Sequence, residues 1–239
     1  RAGYESHRVE NLELAVQMIR EKPLDGVSVT LPLKGAIMAF LDEVDDDARA
    51  IGAVNTVTNE RGWLRGSNTD WSALSAAMQE QFPLGGRTIA VLGAGGAARA
   101  AVHAILRAGG TPIVFNRSRD RAESLARWFS CETQPLAALG TTEADVLINA
   151  TPVGMHPHTE QSPVDGRHLA RFEWVVETIY NPLETRLLRE ARAAGCGVVA
   201  GLAMFVRQGA EQIRTWTGLE PPVELMTRVV QTTLAKNRV

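Results

Sequence analysis

The sequence predicts an α/β protein in which a doubly wound parallel sheet is joined to a smaller α/β domain that C-terminal helices complete. Two observations predict this class. Between residues 86 and 200, short apolar runs alternate with helical or loop segments, which is typical of a parallel sheet covered on both faces. Before this region the strands and helices follow a different order, and after it the chain ends in two helical segments.

The length and composition are those of an ordinary globular protein that acts on small molecules. The 239 residues suffice for one large or two small domains, and 45% of them are hydrophobic. A net charge of -2 provides no basic surface for nucleic acid, and no apolar run approaches the ~18 residues of a membrane span. The two cysteines, Cys131 and Cys196, are too few for a disulfide framework, so we expect a cytoplasmic protein.

Residues 1–83 are predicted to form the smaller domain. A helix with apolar residues at helical spacing covers residues 10–20, and Pro23 ends it. The strand GVSVTL follows, and AIMAFLDEV and DDDARAIG then predict two short helices. AVNTVTN and WLRG, joined by the turn ERG, predict a hairpin, and NTDWSALSAAMQEQF predicts a helix that ends before Pro83.

Residues 84–202 are predicted to form the larger domain. After a linker at 84–86, five strands are predicted at RTIAVLG, TPIVFN, ADVLINAT, WVVETIY and CGVVAG. Two helices follow, AMFVRQGAEQIRTWTG and PPVELMTRVVQTTLAK, which Gly218 and the Pro221–Pro222 pair divide. We expect this tail, residues 203–239, to pack back onto the first domain.

A glycine-rich turn follows the first strand of the larger domain and opens a helix. Gly93, Gly95 and Ala98 have the G-x-G-x-x-G/A spacing, in which glycine permits a tight turn and close approach of a pyrophosphate to the amides of a helix N-terminus. The alternative is a turn that only packs the helix on the strand. We predict a Rossmann-type dinucleotide site formed by Gly93, Ala94, Gly95, Gly96 and Ala97.

The end of the second strand predicts which dinucleotide binds. A protein that selects NAD normally carries Asp or Glu there, whereas this strand ends in Asn116, Arg117 and Ser118, with further arginines including Arg121 close behind. A guanidinium at this place pairs with an adenosine 2'-phosphate. NADP is therefore the predicted cofactor. The alternative is that these arginines are only solvated and that Asp120 binds the ribose.

The candidate reactive residues lie in the smaller domain. Lys34 follows a strand and Asp70 begins a helix, and the two could share a proton with a substrate. Asn55 and Thr30 offer neutral hydrogen bonds, which suits a polyhydroxylated ligand. Each has a structural alternative, because a lysine that begins a helix is usually solvated, Asp70 or Thr69 could cap the helix that follows, and Asn55 could serve a turn.

The motif set resembles the shikimate dehydrogenase family. VSVTLPLK, IGAVNT, GSNTD, VLGAGGAARA, FNRS, NATPVGM, IYNP and GLAMFVRQGA occur in the family's order over nearly the whole chain from Gly26. The resemblance implies NADP-dependent, reversible reduction of 3-dehydroshikimate to shikimate, a step towards aromatic amino acids. It implies that Lys34 and Asp70 are the catalytic pair and that Lys34 is the acid–base group.

The resemblance also implies binding residues. Substrate contacts are expected from Thr30, Asn55, Asp70, Tyr180 and Gln208. Cofactor contacts are expected from the glycine loop, from Asn116, Arg117, Ser118 and Arg121, and from Thr151, Gly201 and Met204.

Two departures from the family pattern concern the substrate side. The family has a strand and a serine-bearing loop that grips the substrate carboxylate, and nothing of that kind precedes Gly26. We expect that segment to precede Arg1 in the full protein. The second departure is Ser28, where the family commonly has asparagine, and its effect should be small.

Three alternatives remain from the sequence. One is a quinate/shikimate dehydrogenase of broader specificity, and another is a non-catalytic sensor of these acids on the same fold. The third places the chain in a multifunctional polypeptide of the same pathway; a homodimer is equally compatible with the sequence. No metal is predicted, because His156 and His158 lack an evident third ligand.

Overall fold

The computed structural model describes residues 3–236, so residues 1–2 and 237–239 of the predicted ranges 1–83 and 203–239 lie outside the described residues. The β-strands are β1 Gly26–Ser28, β2 Glu43–Val44, β3 Thr56–Glu60, β4 Trp63–Ser67, β5 Thr88–Leu92, β6 Thr111–Asn116, β7 Glu132–Pro135, β8 Val146–Asn149, β9 Trp174–Glu177 and β10 Gly197–Val199. The α-helices are α1 Leu12–Glu21, α2 Asp46–Ile51, α3 Asp70–Gln79, α4 Gly96–Arg107, α5 Arg119–Phe129, α6 Arg186–Ala193, α7 Gly201–Thr217 and α8 Val223–Lys236. Short 3-10 helices lie at Ala36–Phe40, Leu136–Gly140 and Gly166–Arg171.

The larger sheet is parallel throughout and confirms the predicted doubly wound class. Its strands lie in the order β10-β9-β8-β5-β6-β7. The chain starts at β5, continues outwards through β6 and β7, and then returns to the other side of β5 for β8, β9 and β10. The direction of winding therefore reverses between β5 and β8, where open α/β sheets form a ligand crevice beyond their carboxyl ends.

Both faces of this sheet are buried. Val91 and Ile148 contribute to one hydrophobic core and Leu92 and Leu147 to another, because successive strand residues point to opposite faces. All four side chains have at most 1% exposure. This explains why the strands read as continuous apolar runs rather than as an alternating pattern.

The smaller sheet has the strand order β1-β3-β4-β2. β3 and β4 form the predicted hairpin, and its two-residue loop is Arg61–Gly62, with φ of 58° and 94°. Positive φ at both positions is typical of the tight turns whose twist matches that of the flanking strands. The Asn59 side chain accepts a hydrogen bond from the Gly62 amide at 2.7 Å and closes the turn.

Two local predictions were wrong. AIMAFLDEV is not one α-helix, because it forms a 3-10 helix and then β2, where Glu43 and Val44 pair with Arg65 and Gly66 of β4. The strand β7 was not predicted. It is a four-residue, polar edge strand that pairs with β6, so it lacks the apolar run of an interior strand.

Helices α2 and α7 connect the two sheets. Arg99 in α4 donates to the Ile51 carbonyl at 2.8 Å, and Trp128 in α5 donates to the Ala50 carbonyl at 2.6 Å, so that two carbonyls at the end of α2 find donors on helices of the larger sheet. Helix α7 leaves β10 and packs against α3 and β3, and α8 packs on α7.

The domain boundaries at 83/84 and 202/203 stay a prediction. None of the helices described is long and apolar enough to span a membrane.

Candidate active site

Lys34 lies in the turn that follows β1, so the amine is not carried by a helix. The Lys34 carbonyl accepts a hydrogen bond from the Val54 amide at 2.8 Å, which holds the turn beside the segment that leads into β3. Its side chain is 16% exposed and its Nζ lies 2.5 Å from Oδ2 of Asp70. The alternative of a solvated lysine therefore does not describe Lys34, while its catalytic role stays a prediction.

Asp70 is the first residue of α3 and is buried. Its Oδ2 accepts a hydrogen bond from Lys34, and its Oδ1 accepts one from Nδ2 of Asn55 at 2.9 Å. The positive end of the α3 dipole also lies at this residue. Each carboxylate oxygen of Asp70 thus accepts a hydrogen bond, and these two bonds orient the side chain towards the lysine amine.

Asn55 helps to orient the Asp70 carboxylate of this pair. It is 1% exposed, and its Nδ2 donates to Thr69 Oγ1 at 3.0 Å as well as to Asp70. Its Oδ1 accepts hydrogen bonds from the Thr69 amide and from the Thr56 hydroxyl, both at 2.8 Å. Because both amide hydrogens are engaged, a direct contact between Asn55 and a substrate stays a prediction.

Of the other predicted substrate residues, Gln208 is next to the pair, because its backbone carbonyl accepts a hydrogen bond from the Thr69 hydroxyl at 3.2 Å. Thr30 is exposed, and Tyr180 stacks on Phe205 of α7 with ring centres 3.8 Å apart. Burial raises the pKa of the Tyr180 phenol. The Gln208 side chain donates to the Phe205 carbonyl of its own helix at 2.9 Å. No hydrogen bond among the described residues joins these three side chains to Lys34 or Asp70, so their substrate contacts stay predictions.

The glycine loop lies at the reversal point of the larger sheet. Gly93 has a φ of 116°, and a Cβ there would lie 2.8 Å from the Ala150 carbonyl oxygen, so only glycine fits. Gly95 caps α4, is exposed, and would meet nothing within 4 Å if it carried a Cβ. The first amides of α4 are thus open to a ligand, as a pyrophosphate requires.

The reactive pair and the glycine loop are adjacent. A Cβ on Gly96, the first residue of α4, would lie 3.3 Å from Cδ of Lys34. The lysine stem, which comes from the turn after β1, therefore lies against the start of the helix that would hold a cofactor phosphate. The residues present fit a dinucleotide on one side of a cleft and a substrate on the other.

The predicted ribose loop is exposed at the end of β6. Asn116 Nδ2 donates to the Ser118 carbonyl at 2.9 Å and closes the loop. Arg119 is paired with Glu123 at 2.7 Å, whereas the exposed Arg117 and Arg121 form no ion pair within residues 3–236. Two guanidinium groups are thus available beside the loop.

The remaining predicted cofactor residues lie on the other side of the reversal point. The amide and hydroxyl of Thr151 both donate to Oδ1 of Asn149, at 3.0 and 2.7 Å. A Cβ on Gly201 would lie 2.3 Å from the Ile179 carbonyl oxygen, so α7 can start this close to the segment after β9 only with glycine. Met204 is 7% exposed and belongs to the core, and its contact with a nicotinamide stays a prediction.

Two buried polar residues near the site were missed. Gln212 of α7 is 4% exposed, and its Nε2 donates to Ser28, to the Asn55 carbonyl and to Thr56. These partners lie more than 150 residues earlier, so no local pattern announces them. Glu177 is 1% exposed at the end of β9. Its one sequence signal is a carboxylate directly after an apolar strand.

The H-x-H sequence, for which no metal was predicted, lies in a loop. His156 and His158 are both exposed. Across residues 3–236, no group of three or more His, Cys, Asp or Glu side chains could hold a metal ion.

The fold and site together define a class of protein. A glycine loop at the reversal point of a doubly wound sheet, facing a buried lysine–aspartate pair from a second sheet, is the arrangement of a nicotinamide-dinucleotide-dependent oxidoreductase. Three family models match the chain and narrow this class. The model of the shikimate dehydrogenase substrate binding domain matches residues 1–57, and the model of shikimate / quinate 5-dehydrogenase matches residues 76–168. The model of the shikimate 5'-dehydrogenase C-terminal domain matches residues 201–231. The chain belongs to the shikimate dehydrogenase family, and the predicted resemblance is confirmed.

Relatives and solved structures agree with this assignment. The chain is 42% identical over 231 residues to the shikimate dehydrogenase (NADP(+)) of Shouchella clausii, which covers 93% of this chain and 84% of the relative. Shikimate 5-dehydrogenase of Thermus thermophilus, solved with NADP(H) and shikimate, is 40% identical with a TM-score of 0.85, covering 95% of this chain and 85% of that one. Quinate dehydrogenase of Corynebacterium glutamicum, solved with NAD, is 31% identical with a TM-score of 0.85, covering 93% and 83%.

Proposed function

We propose that this protein catalyses the reversible reduction of 3-dehydroshikimate to shikimate with NADPH. The observation that carries this proposal is the Lys34–Asp70 pair, which lies across the start of α4 beside the open glycine loop. Family membership, the NADP(+)-dependent relative and the neighbour solved with NADP(H) and shikimate support it.

Bound NADPH supplies the hydride that reduces the ketone carbon. Lys34 then donates a proton to the ketone oxygen, so that the carbonyl becomes a hydroxyl and the amine is left neutral until it takes a proton from water. Asp70 holds the lysine amine in place and stabilises its positive charge. In the reverse direction the neutral amine removes the proton from the shikimate hydroxyl.

The chain's binding residues divide between the two sides of the cleft. On the substrate side, Thr30, Tyr180 and Gln208 would contact the hydroxyl groups, and Asn55 would act through Asp70. On the cofactor side, the amides around Gly95 would hold the pyrophosphate, while the guanidinium of Arg117 would pair with the 2'-phosphate.

A second candidate function is dehydrogenation of quinate. The similarity to quinate dehydrogenase of Corynebacterium glutamicum favours it. That neighbour was solved with NAD, whereas this chain has Arg117 and no acid at the end of β6. We therefore rank quinate activity second.

One assay separates these functions. The absorbance of reduced nicotinamide is followed with shikimate or quinate, each with NADP or NAD. The proposed function predicts the highest kcat/KM for shikimate with NADP. A preference for quinate would favour the second candidate, and binding of either acid without turnover would favour a sensor.

Location and assembly are also proposals. The free thiols Cys131 and Cys196 support a cytoplasmic site of action, since no disulfide joins them. A homodimer or a fusion with other domains of the pathway stays a prediction, which light scattering of the intact protein would test.

A further inference from the structure

Glu177 is a buried carboxylate that no step of the proposed reaction uses. It ends β9, lies opposite Asn149 in the register with β8, and is 1% exposed. Its oxygens accept hydrogen bonds from Nδ2 of Asn149 at 3.0 Å, from the Ile179 amide at 3.1 Å and from the Thr185 hydroxyl at 3.0 Å. Every one of these partners donates to Glu177, so both of its oxygens act as acceptors here.

This carboxylate joins three segments. Through Asn149, whose Oδ1 accepts from Thr151, it is connected to the loop after β8. Through the Ile179 amide it fixes the segment after β9. Through Thr185, whose hydroxyl also accepts a hydrogen bond from the Leu188 amide, it is connected to the start of α6.

Two of these segments form walls of the cofactor crevice. They follow β8 and β9, which lie on the opposite side of the reversal point from the ribose loop after β6. A dinucleotide spans the reversal point, so the nicotinamide half belongs on the β8–β9 side. The loop after β8 touches Gly93 through the Ala150 carbonyl, and the segment after β9 touches Gly201 through the Ile179 carbonyl.

We propose that Glu177 is the positioning residue of the nicotinamide half-site, an inference that rests on the proposed function. By accepting from Asn149, which in turn holds Thr151 of the loop after β8, and from the Ile179 amide after β9, its carboxylate fixes the two segments relative to each other and so sets where the nicotinamide lies relative to Lys34. A neutral amide of the same shape cannot replace it, because its NH₂ group would face donors and at least one buried N–H or O–H would lose its acceptor.

The test is Glu177→Gln in the intact protein. We expect kcat with NADPH to fall about 10- to 100-fold, since small displacements of reacting groups have effects of this size. We expect the affinity for adenosine 2',5'-bisphosphate, which lacks the nicotinamide, to stay unchanged in calorimetry, while the affinity for NADPH falls. Glu177→Asp keeps the charge and all acceptors, so its kcat should lie between those of the wild type and Glu177→Gln.

The matched control is Asp145→Asn. Asp145 directly precedes β8, at the amino ends of the strands and so away from the crevice at their carboxyl ends. Its Oδ2 accepts a hydrogen bond from the Thr88 amide at 2.8 Å. The control therefore removes a half-buried carboxylate that also accepts a backbone N–H, away from the crevice, and its kcat should stay near that of the wild type.

Three results would overturn the proposal. These are a wild-type kcat in Glu177→Gln, an equal loss in Asp145→Asn, or a parallel loss of affinity for the bisphosphate and for NADPH, which indicates a general structural role. If Glu177→Gln does not fold, a wild-type kcat in Glu177→Asp together with wild-type NADPH affinity would count against it. If the wild type shows no turnover with shikimate, that result rejects the proposed function alone. The ratio of the affinities for NADPH and for the bisphosphate then still tests the role of Glu177.

Discussion

Burying the ion pair between Lys34 and Asp70 carries a desolvation free-energy cost. Moving each charge out of water costs several kcal/mol, and a buried pair on its own stabilises a fold weakly. Here the cost is offset by the second hydrogen bond that Asp70 accepts, from Asn55, and by the positive end of the α3 dipole. Such an arrangement has its clearest explanation in proton transfer to a ligand in the cleft.

Arg117 tests cofactor selection at the residue scale. We expect Arg117→Ala to lower the affinity for NADPH about 10- to 100-fold, because a charge-assisted hydrogen bond contributes about 1.5–3 kcal/mol. The affinity for NADH should not change, since NADH lacks the 2'-phosphate. Fluorescence titration with both cofactors measures this, and Arg127→Ala, an exposed arginine at the far end of α5, is the control. Equal losses for NADH and NADPH would contradict this role.

Glu177 makes the stability of the fold depend on pH. Burial raises the pKa of its carboxyl from 4.5 to about 7, and hydrogen bonds from Ile179, Asn149 and Thr185 offset part of this effect. Between these pH values the folded state keeps a proton that the unfolded state has released. The free energy of unfolding therefore falls as pH rises from about 4.5 to about 7, in total by about 3 kcal/mol at about 1.4 kcal/mol per pH unit.

Glu177→Gln removes this titration. We expect the difference in unfolding free energy between the wild type and the variant to change with pH across that interval and to be constant above about pH 8. Urea denaturation at a series of pH values measures the difference. A difference that does not depend on pH between about 4.5 and 7 would show that burial does not raise this pKa.

At the scale of elements, the strands of the larger sheet were predictable because burial on both faces leaves an apolar run that local sequence displays. The edge strand β7 and the two-residue β2 were not, because their pairing depends on β6 and β4 rather than on their own composition. The glycine loop was predictable for a different reason. Its glycines serve a local turn, a close approach and a helix start.

The site was predictable to the extent that each residue lies in a recognisable local motif. Lys34, Asn55 and Asp70 were identified, and the structure joins them in one hydrogen-bonded cluster. Gln212 and Glu177 were not, since their roles depend on partners that only the folded chain brings together.

Gly93 tests the close approach of two elements. Gly93→Ala should place a methyl group 2.8 Å from the Ala150 carbonyl oxygen at a φ of 116°, so we expect a loss of about 1–3 kcal/mol in unfolding free energy and weaker NADPH binding. Gly86→Ala is the control, because Gly86 also has a positive φ, 76°, with open space around it. It should be destabilised by strain alone and should bind NADPH normally. Equal effects of both variants on NADPH binding would argue against the close approach.

At the scale of the whole molecule, the candidate active site combines residues from both sheets. Lys34 and Asp70 come from the smaller sheet and the helix after it, whereas the glycine loop comes from the larger sheet. The contacts of Arg99 and Trp128 with the end of α2 join helices of the larger sheet to the smaller sheet's helix, and α7, which packs against α3 and β3, is a second connection. This explains how a lysine after β1 lies against Gly96 at the start of α4.

The most direct test of proton transfer across this cleft is the turnover of Lys34→Ala with NADPH and 3-dehydroshikimate. We predict that kcat falls about 100- to 10,000-fold, the usual contribution of a general acid, while the affinity for NADPH stays close to that of the wild type. Lys22→Ala, an exposed lysine beside the smaller sheet, should have normal turnover. If Lys34→Ala keeps a kcat within a few-fold of the wild type, Lys34 is not the proton donor and the central claim is wrong.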